Sequence, residues 1–266
     1  MRIGSLTVVG TGIQLGSHLS AAARAWITKS EVVFFHVADV LTAEWLVTLN
    51  KEARPLPVNR EAKRRSEVHA GMVPPIMAEL RAGKRVCVVF YVHPGVFTDP
   101  TFRLLGAAEK AGFKTRLMPA ISADACLYAD LRVDPAKHGS QSFEATDFLL
   151  RDRRFDPRAH LILWQVAMIG NLGFFDPGKT RRGLEELVTR LLRDYPEDHE
   201  VVVYVAAIYP TRRPMILRVP LRRLAEAEMP EAATLYVPPR GTAPMNASMA
   251  QRLGIELPSD HAAPPS

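Results

Sequence analysis

The sequence predicts an α/β fold built from two domains. In the first half, apolar runs at Ser5 to Val9, Val32 to Val37 and Val86 to Tyr91 alternate with segments of helical periodicity. This alternation predicts βαβ units and a parallel sheet, because each crossover between parallel strands needs a helix. With 266 residues, of which 47% are hydrophobic, the chain is long enough to bury two compact cores.

The predicted N-terminal domain covers residues 1–119. Its helices are Leu15 to Thr28, Ala43 to Leu49, Glu61 to Arg81 and Phe102 to Ala111, and its last strand is Lys114 to Met118. Apolar residues recur on one side of the first helix, as in an amphipathic helix. Pro74-Pro75 interrupts the third helix, for which the resemblance described below gives the range 59–82, and Gly83 ends it.

The predicted C-terminal domain covers residues 120–240 and begins after Pro119. Its helices are Ala123 to Leu131 and Arg182 to Arg193, and its strands are Gln141 to Glu144, Leu161 to Gln165, Glu200 to Val205, Arg213 to Val219 and Thr234 to Val237. Residues 241–266 are expected to form a short helix, Ala247 to Leu253, and a disordered tail rich in Pro, Ala and Ser.

Composition excludes several classes of function. The net charge of +6 is distributed in short clusters, and there is no basic stripe interleaved with aromatic residues, so we expect no nucleic-acid partner. No apolar run is long enough for a bilayer and no secretory signal precedes the first strand, which predicts a cytoplasmic protein without membrane contact. Cys87 and Cys126 are expected to be free thiols, and the histidines lack zinc-ligand spacing, so no metal is predicted.

A glycine-rich turn follows the first strand. Gly10, Gly12 and Gly16 have the spacing G-x-G-x-x-x-G, one residue longer than the dinucleotide fingerprint, with Asp39 as the possible ribose-binding acid. The turn is therefore either a dinucleotide site or a tight turn that needs glycine for its backbone alone.

Five segments along the chain together carry a resemblance to a known family. They are Val8-Val9-Gly10-Thr11-Gly12, Tyr91-Val92-His93-Pro94-Gly95-Val96-Phe97, Pro119-Ala120-Ile121-Ser122-Ala123, Trp164-Gln165 and Thr234-Leu235-Tyr236-Val237-Pro238-Pro239. In order and spacing they resemble the tetrapyrrole methylase superfamily, whose members bind S-adenosylmethionine in a cleft between two α/β domains. The resemblance implies that donor and that cleft for this chain.

The resemblance also implies which residues bind the methyl donor. They are Thr11, Gly12, Tyr91, His93, Gly95, Val96, Phe97, Ser122, Ala123, Gln165, Tyr204, Ala206 and Thr234. The residues themselves agree less specifically, since Pro94-Gly95 permits a tight loop at the carboxyl end of a strand, where ligands of α/β sheets bind. Gln165 is either a partner for an adenine edge or a buried amide, and the tyrosines could equally be core aromatics.

Within that superfamily the chain is similar to the borosin peptide-backbone N-methyltransferases. The segments that carry this similarity are His93-Pro94-Gly95-Val96-Phe97, Ser122-Ala123-Asp124-Ala125-Cys126, Gln141-Ser142-Phe143-Glu144-Ala145 and Leu163-Trp164-Gln165. The chain ends soon after Leu253-Gly254-Ile255 without an apolar core peptide, as in the split form whose substrate is a separate precursor. The similarity also implies a homodimer, and the predicted apolar face Val68, Met72, Ile76 and Met77, which has no obvious partner in its own domain, agrees with one.

The acceptor chemistry would depend on the stretch from Asn59 to Met72. A backbone amide is a poor nucleophile because its nitrogen lone pair is delocalised, so its methylation needs a base near nitrogen and a cation near oxygen. Arg65 matches the family arginine and shares one helical face with His69, which stands where the family commonly has tyrosine. The other interpretation is a solvated basic face, because Arg60, Lys63 and Arg64 are neighbours.

The sequence is also compatible with two further functions. One is methylation of a tetrapyrrole or another small acceptor, without any protein partner. The other is a catalytically degenerate protein that only binds peptide, because no tyrosine occurs between Phe35 and Phe90, the stretch in which the family has its clamp tyrosines.

Overall fold

The computed structural model describes residues 3–57, 65–172 and 175–256, without the side chains of Arg65, Ser66 and Val68. Its strands are β1 (Ser5–Gly10), β2 (Val32–His36), β3 (Ala53–Pro55), β4 (Arg85–Phe90), β5 (Lys114–Leu117), β6 (Ser140–Glu144), β7 (His160–Trp164), β8 (Glu200–Val205), β9 (Met215–Pro220) and β10 (Thr234–Val237). Its α-helices are α1 (Ala21–Lys29), α2 (Val40–Leu49), α3 (Arg65–Gly71), α4 (Val73–Arg81), α5 (Asp99–Lys110), α6 (Ala123–Leu131), α7 (Ala145–Leu150), α8 (Pro177–Leu191) and α9 (Ala247–Arg252). The predicted disordered tail lies outside the described residues.

The first sheet is parallel throughout, in the order β3-β2-β4-β1-β5. Along β4, Val86, Val88 and Phe90 join one apolar cluster, while Cys87 and Val89 join another on the opposite face. A strand covered on both faces explains the continuous apolar runs, and the predicted parallel α/β sheet is confirmed. Strand β3 was not predicted, because three residues are too short to show a period.

Helix α1 begins six residues later than predicted. The backbone amides of Ile13 and Gln14 both donate to His18 Nδ1, at 3.3 and 3.1 Å, and hold this segment as a loop. Gly16 takes a left-handed conformation (φ 75°), and Ser20 then caps the helix by accepting a hydrogen bond from the amide of Ala23. Local side-chain acceptors therefore outcompete the helical pattern here.

The predicted long helix consists of two helices that meet at Met72. The break precedes Pro74 and Pro75, which lie in the first turn of α4, where a missing backbone N–H has no helical partner to lose. Met72 and Ile76 are buried in the core of the first sheet. The prediction that this apolar face lacks a partner in its own domain is wrong for Met72, Ile76 and Met77, and the side chain of Val68 lies outside the described residues. Residues 59–64 lie outside the described part of the chain.

The second sheet has the order β6-β7-β10-β8-β9 and is mixed. Only β6 and β7 run parallel, and the other neighbours are antiparallel. One face packs against α7 and α8 through Phe148, Leu184 and Leu187, and the other carries Leu127 of α6. Helix α7 was not predicted, and α8 begins at Pro177 because Asp176 caps it.

Both cysteines are free thiols. Burial raises the pKa of Cys87 to about 12 and that of Cys126 to about 11, so both stay protonated near neutral pH. Within the described residues, none of the helices has both the length and the apolar character required to span a membrane.

His160 makes the stability of the second sheet dependent on pH. Its Nδ1 lies 2.8 Å from the Tyr236 hydroxyl, and its buried Nε2 has no hydrogen-bond partner among the described residues. Burial lowers the pKa of His160 below its ordinary value of 6.5, nearby His138 lowers it further, and Asp134 opposes part of this effect. At pH values below 6.5 this residue binds more protons in the unfolded chain than in the folded protein, so it lowers the free energy of unfolding as the pH falls.

We therefore expect the His160→Phe variant to lose less stability than the wild-type protein between pH 7.5 and pH 5.5. Urea unfolding at both pH values measures the free energy of unfolding of each protein. The change of this free energy between the two pH values is compared, so the stability lost with the Tyr236 hydrogen bond does not enter the comparison. An equal change of the free energy of unfolding in the two proteins would show that His160 does not contribute to the pH dependence in this range.

Candidate active site

A cavity of about 850 Å³ lies between the two sheets. Its walls come from the carboxyl ends of β2 and β4, the loop between β4 and α5, and the ends of β7 and β8. Its lining is Ile13, His36, His69, Met72, Phe90, Tyr91, Val92, Val96, Phe97, Thr98, Asp99, Pro100, Phe102, Ala123, Trp164, Gln165, Met168, Tyr204, Val205, Ala206, Glu231, Ala232, Ala233 and Thr234. The volume and the mainly apolar lining are typical of a small-molecule site.

Backbone conformations around the cavity are unusual. Val92, Phe97 and Gln165 have positive φ angles of 65°, 51° and 56°, and all three line the cavity. Non-glycine residues rarely adopt this left-handed region, and a β-branched residue such as Val92 does so at a clear energetic disadvantage. Such residues concentrate at functional sites.

The structure brings most of the predicted donor-binding residues to this cavity. Those that line it are Tyr91, Val96, Phe97, Ala123, Gln165, Tyr204, Ala206 and Thr234. The residues outside the lining are Thr11, Gly12, His93, Gly95 and Ser122.

These five residues shape the loops beside the cavity. His93 Nδ1 accepts a hydrogen bond of 2.9 Å from the amide of Gly95, and Gly12 forms a β-bridge with Val92. The Thr11 hydroxyl donates to the carbonyl of Gly12, and Ser122 is the N-cap residue of α6. Direct contact of these five residues with a methyl donor stays a prediction.

The glycine turn has a structural explanation. A Cβ atom on Gly10 would lie 2.1 Å from the carbonyl oxygen of Val92, and one on Gly12 would lie 2.3 Å from the Cβ of His18. Both glycines are therefore needed for close packing of the turn. Among the residues that the structure describes, no lysine or arginine lines the cavity, so the lining offers no counter-charge for the pyrophosphate of a dinucleotide.

An aromatic residue of the loop after β4 meets an aromatic residue of β7 at the cavity. The rings of Phe97 and Trp164 lie 5.2 Å apart between centroids. The indole Nε1 of Trp164 is buried and has no acceptor within the described part of the chain. Because buried donors are nearly always paired, this N–H is available to a bound molecule.

The two tyrosines of the lining are donors near neutral pH and are not bases. Burial raises the pKa of Tyr91 to about 12. The Tyr204 hydroxyl donates a 2.6 Å hydrogen bond to Asp130, and burial together with that carboxylate raises the pKa of Tyr204 far above its ordinary value.

The candidate bases are two histidines on the side of the cavity formed by the first sheet. His69 of α3 lies with its Nδ1 3.1 Å from Asp99 Oδ2, and Arg103 Nε lies 2.5 Å from the same oxygen. His36 is the last residue of β2, and its pKa is lowered first by burial and then by the nearby His69. Arg65 is the first residue of α3, but its side chain lies outside the described residues.

Sequence reasoning missed several members of the site. His36 ends a strand that neighbours β4, and this position at the carboxyl edge of a parallel sheet was a usable signal. Asp99 begins α5 three residues before the predicted helix, and the pair Asp99-Pro100 is itself a helix-start signal. Nothing in the sequence links Asp99 to His69, which is 30 positions away.

The fold and the cavity define a two-domain α/β protein with a ligand site between its sheets. A family profile described as tetrapyrrole (corrin/porphyrin) methylases matches residues 5–225. The chain belongs to the tetrapyrrole methylase family.

The curated relatives confirm the resemblance to borosin-type proteins. The methyltransferase/ribosomally synthesized cyclic peptide omphalotin A precursor of Omphalotus olearius is 35% identical over 259 residues, which are 96% of this chain and 62% of the relative. The methyltransferase/type I borosin cyclic peptide precursor of Coprinopsis marcescibilis is 37% identical over 247 residues, 90% of this chain and 63% of the relative. The chain thus spans about three fifths of the length of these relatives.

Solved structures show the same fold. The uroporphyrin-III C-methyltransferase of Thermus thermophilus, in complex with S-adenosylhomocysteine, superposes with a TM-score of 0.63 at 17% identity, covering 88% of this chain and 97% of that one. The predicted architecture of two α/β domains is confirmed.

Proposed function

We propose that this protein transfers methyl groups from S-adenosylmethionine to backbone amides of a ribosomally made precursor peptide. The observation that carries the proposal is the cavity between the two sheets, which combines an apolar lining with a histidine paired to a carboxylate. The named relatives, methyltransferases joined to peptide precursors, support a peptide as the acceptor.

The residues of the cavity fit such a donor. Besides Asp99, which is paired with His69 and Arg103, the lining carries the carboxylate of Glu231, which favours a cationic ligand over an anionic one. The N–H of Trp164 provides a buried donor, and the half-buried Ala123 and Ala206 leave room for a flat ring. When bound, the sulfonium supplies an electrophilic methyl group.

The acceptor side falls to the face that carries His69. We assign the removal of the amide proton to the His69 imidazole, since His69 lines the cavity and a ring nitrogen can accept a proton. The residue proposed to stabilise the carbonyl oxygen is Arg65, on the basis of the family resemblance. A base and a cation together address both requirements of an amide nucleophile.

We further propose that the precursor is a separate molecule and that the enzyme is a homodimer. Phe97 and Phe102 line the cavity and stay exposed, so a peptide can enter from solvent. The proposed homodimer rests on the family resemblance alone. The apolar residues of α4 do not support it, because they are buried in the core of their own domain. Light scattering at micromolar concentration distinguishes a dimer from a monomer.

The function is tested by co-expression with a small precursor encoded beside the gene, followed by intact-mass measurement. Mass additions of about 14 Da on the precursor support the proposal, because each replacement of N–H by N–CH₃ adds one methylene. Additions on the enzyme chain itself would show an acceptor in the same chain. Calorimetry with S-adenosylhomocysteine tests the donor site separately from the acceptor site. If the donor product binds but no precursor is methylated, the protein is a methyltransferase with a different acceptor.

A further inference from the structure

We propose that Asp99 is a positioning residue for the catalytic base: it holds the His69 imidazole with the proton on Nδ1, so that Nε2 accepts the amide proton of the substrate. This inference rests on the proposed function and deepens it, because it assigns a role to a carboxylate that neither the motif pattern nor the family resemblance marks.

The geometry of the pair carries the proposal. His69 Nδ1 lies 3.1 Å from Asp99 Oδ2, within hydrogen-bond distance. A carboxylate accepts hydrogen bonds and donates none, so the proton of a neutral imidazole lies on Nδ1 in this arrangement. The hydrogen bond of the His69 ring to Asp99 uses Nδ1 and leaves Nε2 as the other ring nitrogen of a residue that lines the cavity.

The two members of the pair are held by different helices, which fixes the ring between them. His69 is near the carboxyl end of α3, and Asp99 is the first residue of α5. Helices α3 and α5 pack against each other, and α3 is joined to α4 through the buried Met72. The carboxylate is therefore in place before any substrate binds.

Arg103 competes with His69 for the carboxylate. Arg103 Nε lies 2.5 Å from Oδ2, the oxygen that also faces the imidazole. The hydrogen bond from Arg103 lowers the pKa of Asp99, burial opposes that effect, and the hydrogen bond with His69 lowers the pKa further. Asp99 thus remains ionised at neutral pH, and Arg103 withdraws part of its negative charge from His69.

Several charged or titratable side chains of the described residues lie on the elements around His69, and Arg65 of the same helix has its side chain outside that part of the chain. Asp99 and Arg103 face it from α5, and His36 approaches it from the end of β2. Glu67 lies on α3 itself and is exposed. The carboxylate of α4, Glu79, is paired with Arg54 and Lys84.

Substitutions of Asp99 and of Arg103 should shift the pH–rate profile in opposite directions. In Asp99→Asn the imidazolium loses its carboxylate partner, so the acidic limb of single-turnover methylation should move to lower pH. In Arg103→Gln the carboxylate faces His69 alone, so the same limb should move to higher pH.

The rate on the plateau should also separate the two variants. Asp99→Asn should lower it about 10- to 100-fold, a part of the ~10²–10⁴ that a positioned base contributes. Arg103→Gln keeps the carboxylate and its contact with His69, so its plateau should fall less than that of Asp99→Asn. Affinity for S-adenosylhomocysteine should stay unchanged in both.

A matched control is available on α7. Arg151 Nε lies 2.6 Å from Asp147 Oδ1 in an ion pair with the same spacing of four residues, and neither residue lines the cavity. Asp147→Asn and Arg151→Gln should leave the pH profile in place. Equal shifts in these controls would assign the effect to net charge and overturn the proposal.

A measurement without turnover separates this inference from the proposed function. Long-range ¹⁵N–¹H correlation spectra of labelled protein, assigned with the His69→Gln variant, report which ring nitrogen carries the proton. We expect the Nδ1–H form in the wild-type protein and its loss in Asp99→Asn. A wild-type spectrum dominated by Nε2–H would overturn the positioning role. The Nδ1–H form in a protein that methylates no precursor would instead reject the proposed function and leave the pairing standing.

Discussion

His69→Ala should slow single-turnover methylation of the precursor by about 10²–10⁴, the range for loss of a general base. The tyrosines of the cavity cannot replace the lost base, because burial keeps the hydroxyl of Tyr91 protonated. His36 lines the same cavity but is not held by the Asp99 carboxylate. Affinity for S-adenosylhomocysteine, measured by calorimetry, should be unchanged, since His69 is assigned to the acceptor side.

Two further variants make this result specific. His69→Tyr restores the residue that the family commonly has at this position and should retain part of the activity. His138→Ala removes a half-buried histidine that does not line the cavity and should keep the wild-type rate. A normal rate in His69→Ala would contradict the assignment of the base while leaving the methyltransferase itself in place.

Ala123→Phe should weaken donor binding about 10- to 100-fold. Ala123 is the first residue of α6 and lines the cavity, so a larger side chain enters the space assigned to the donor. Overpacking typically costs about 1–3 kcal/mol, and 1.4 kcal/mol corresponds to a tenfold change in affinity. Calorimetry with S-adenosylmethionine and S-adenosylhomocysteine measures the change.

The control for this substitution lies on the same helix. Ala129 is exposed near the other end of α6, and Ala129→Phe carries the same change in helix propensity and hydrophobicity. Its donor affinity should match the wild type. If both variants bind the donor normally and melt at the wild-type temperature, the donor does not occupy the part of the cavity beside Ala123.

The sequence predicted the elements whose pattern is set by burial on a sheet. Strands β8 and β10 have the predicted bounds, and so does helix α6. The errors lie where one local contact overrides the pattern. The side chain of His18 keeps the residues before α1 out of the helix, and the cap at Asp176 makes α8 begin earlier in the chain than predicted. Such contacts depend on the path of the loop, which no periodicity records.

The site was predicted in part for a similar reason. Motifs at strand ends marked Tyr91 and Gln165, because the fold places such ends at one edge of a sheet. His69 was marked by its place on a helical face. Asp99 was not, since its contact with His69 exists only after α3 and α5 have packed together.

The left-handed residues around the cavity have a consequence for engineering. Replacing Phe97 or Gln165 by glycine would remove a Cβ clash worth about 1–2 kcal/mol in that conformation. Against this gain, each glycine frees the backbone of the unfolded chain and deletes a wall of the cavity. A library selected for heat resistance alone would therefore accept glycine at these positions more readily than one selected for turnover. The difference between the two libraries would map where this protein trades thermal robustness for a shaped cavity.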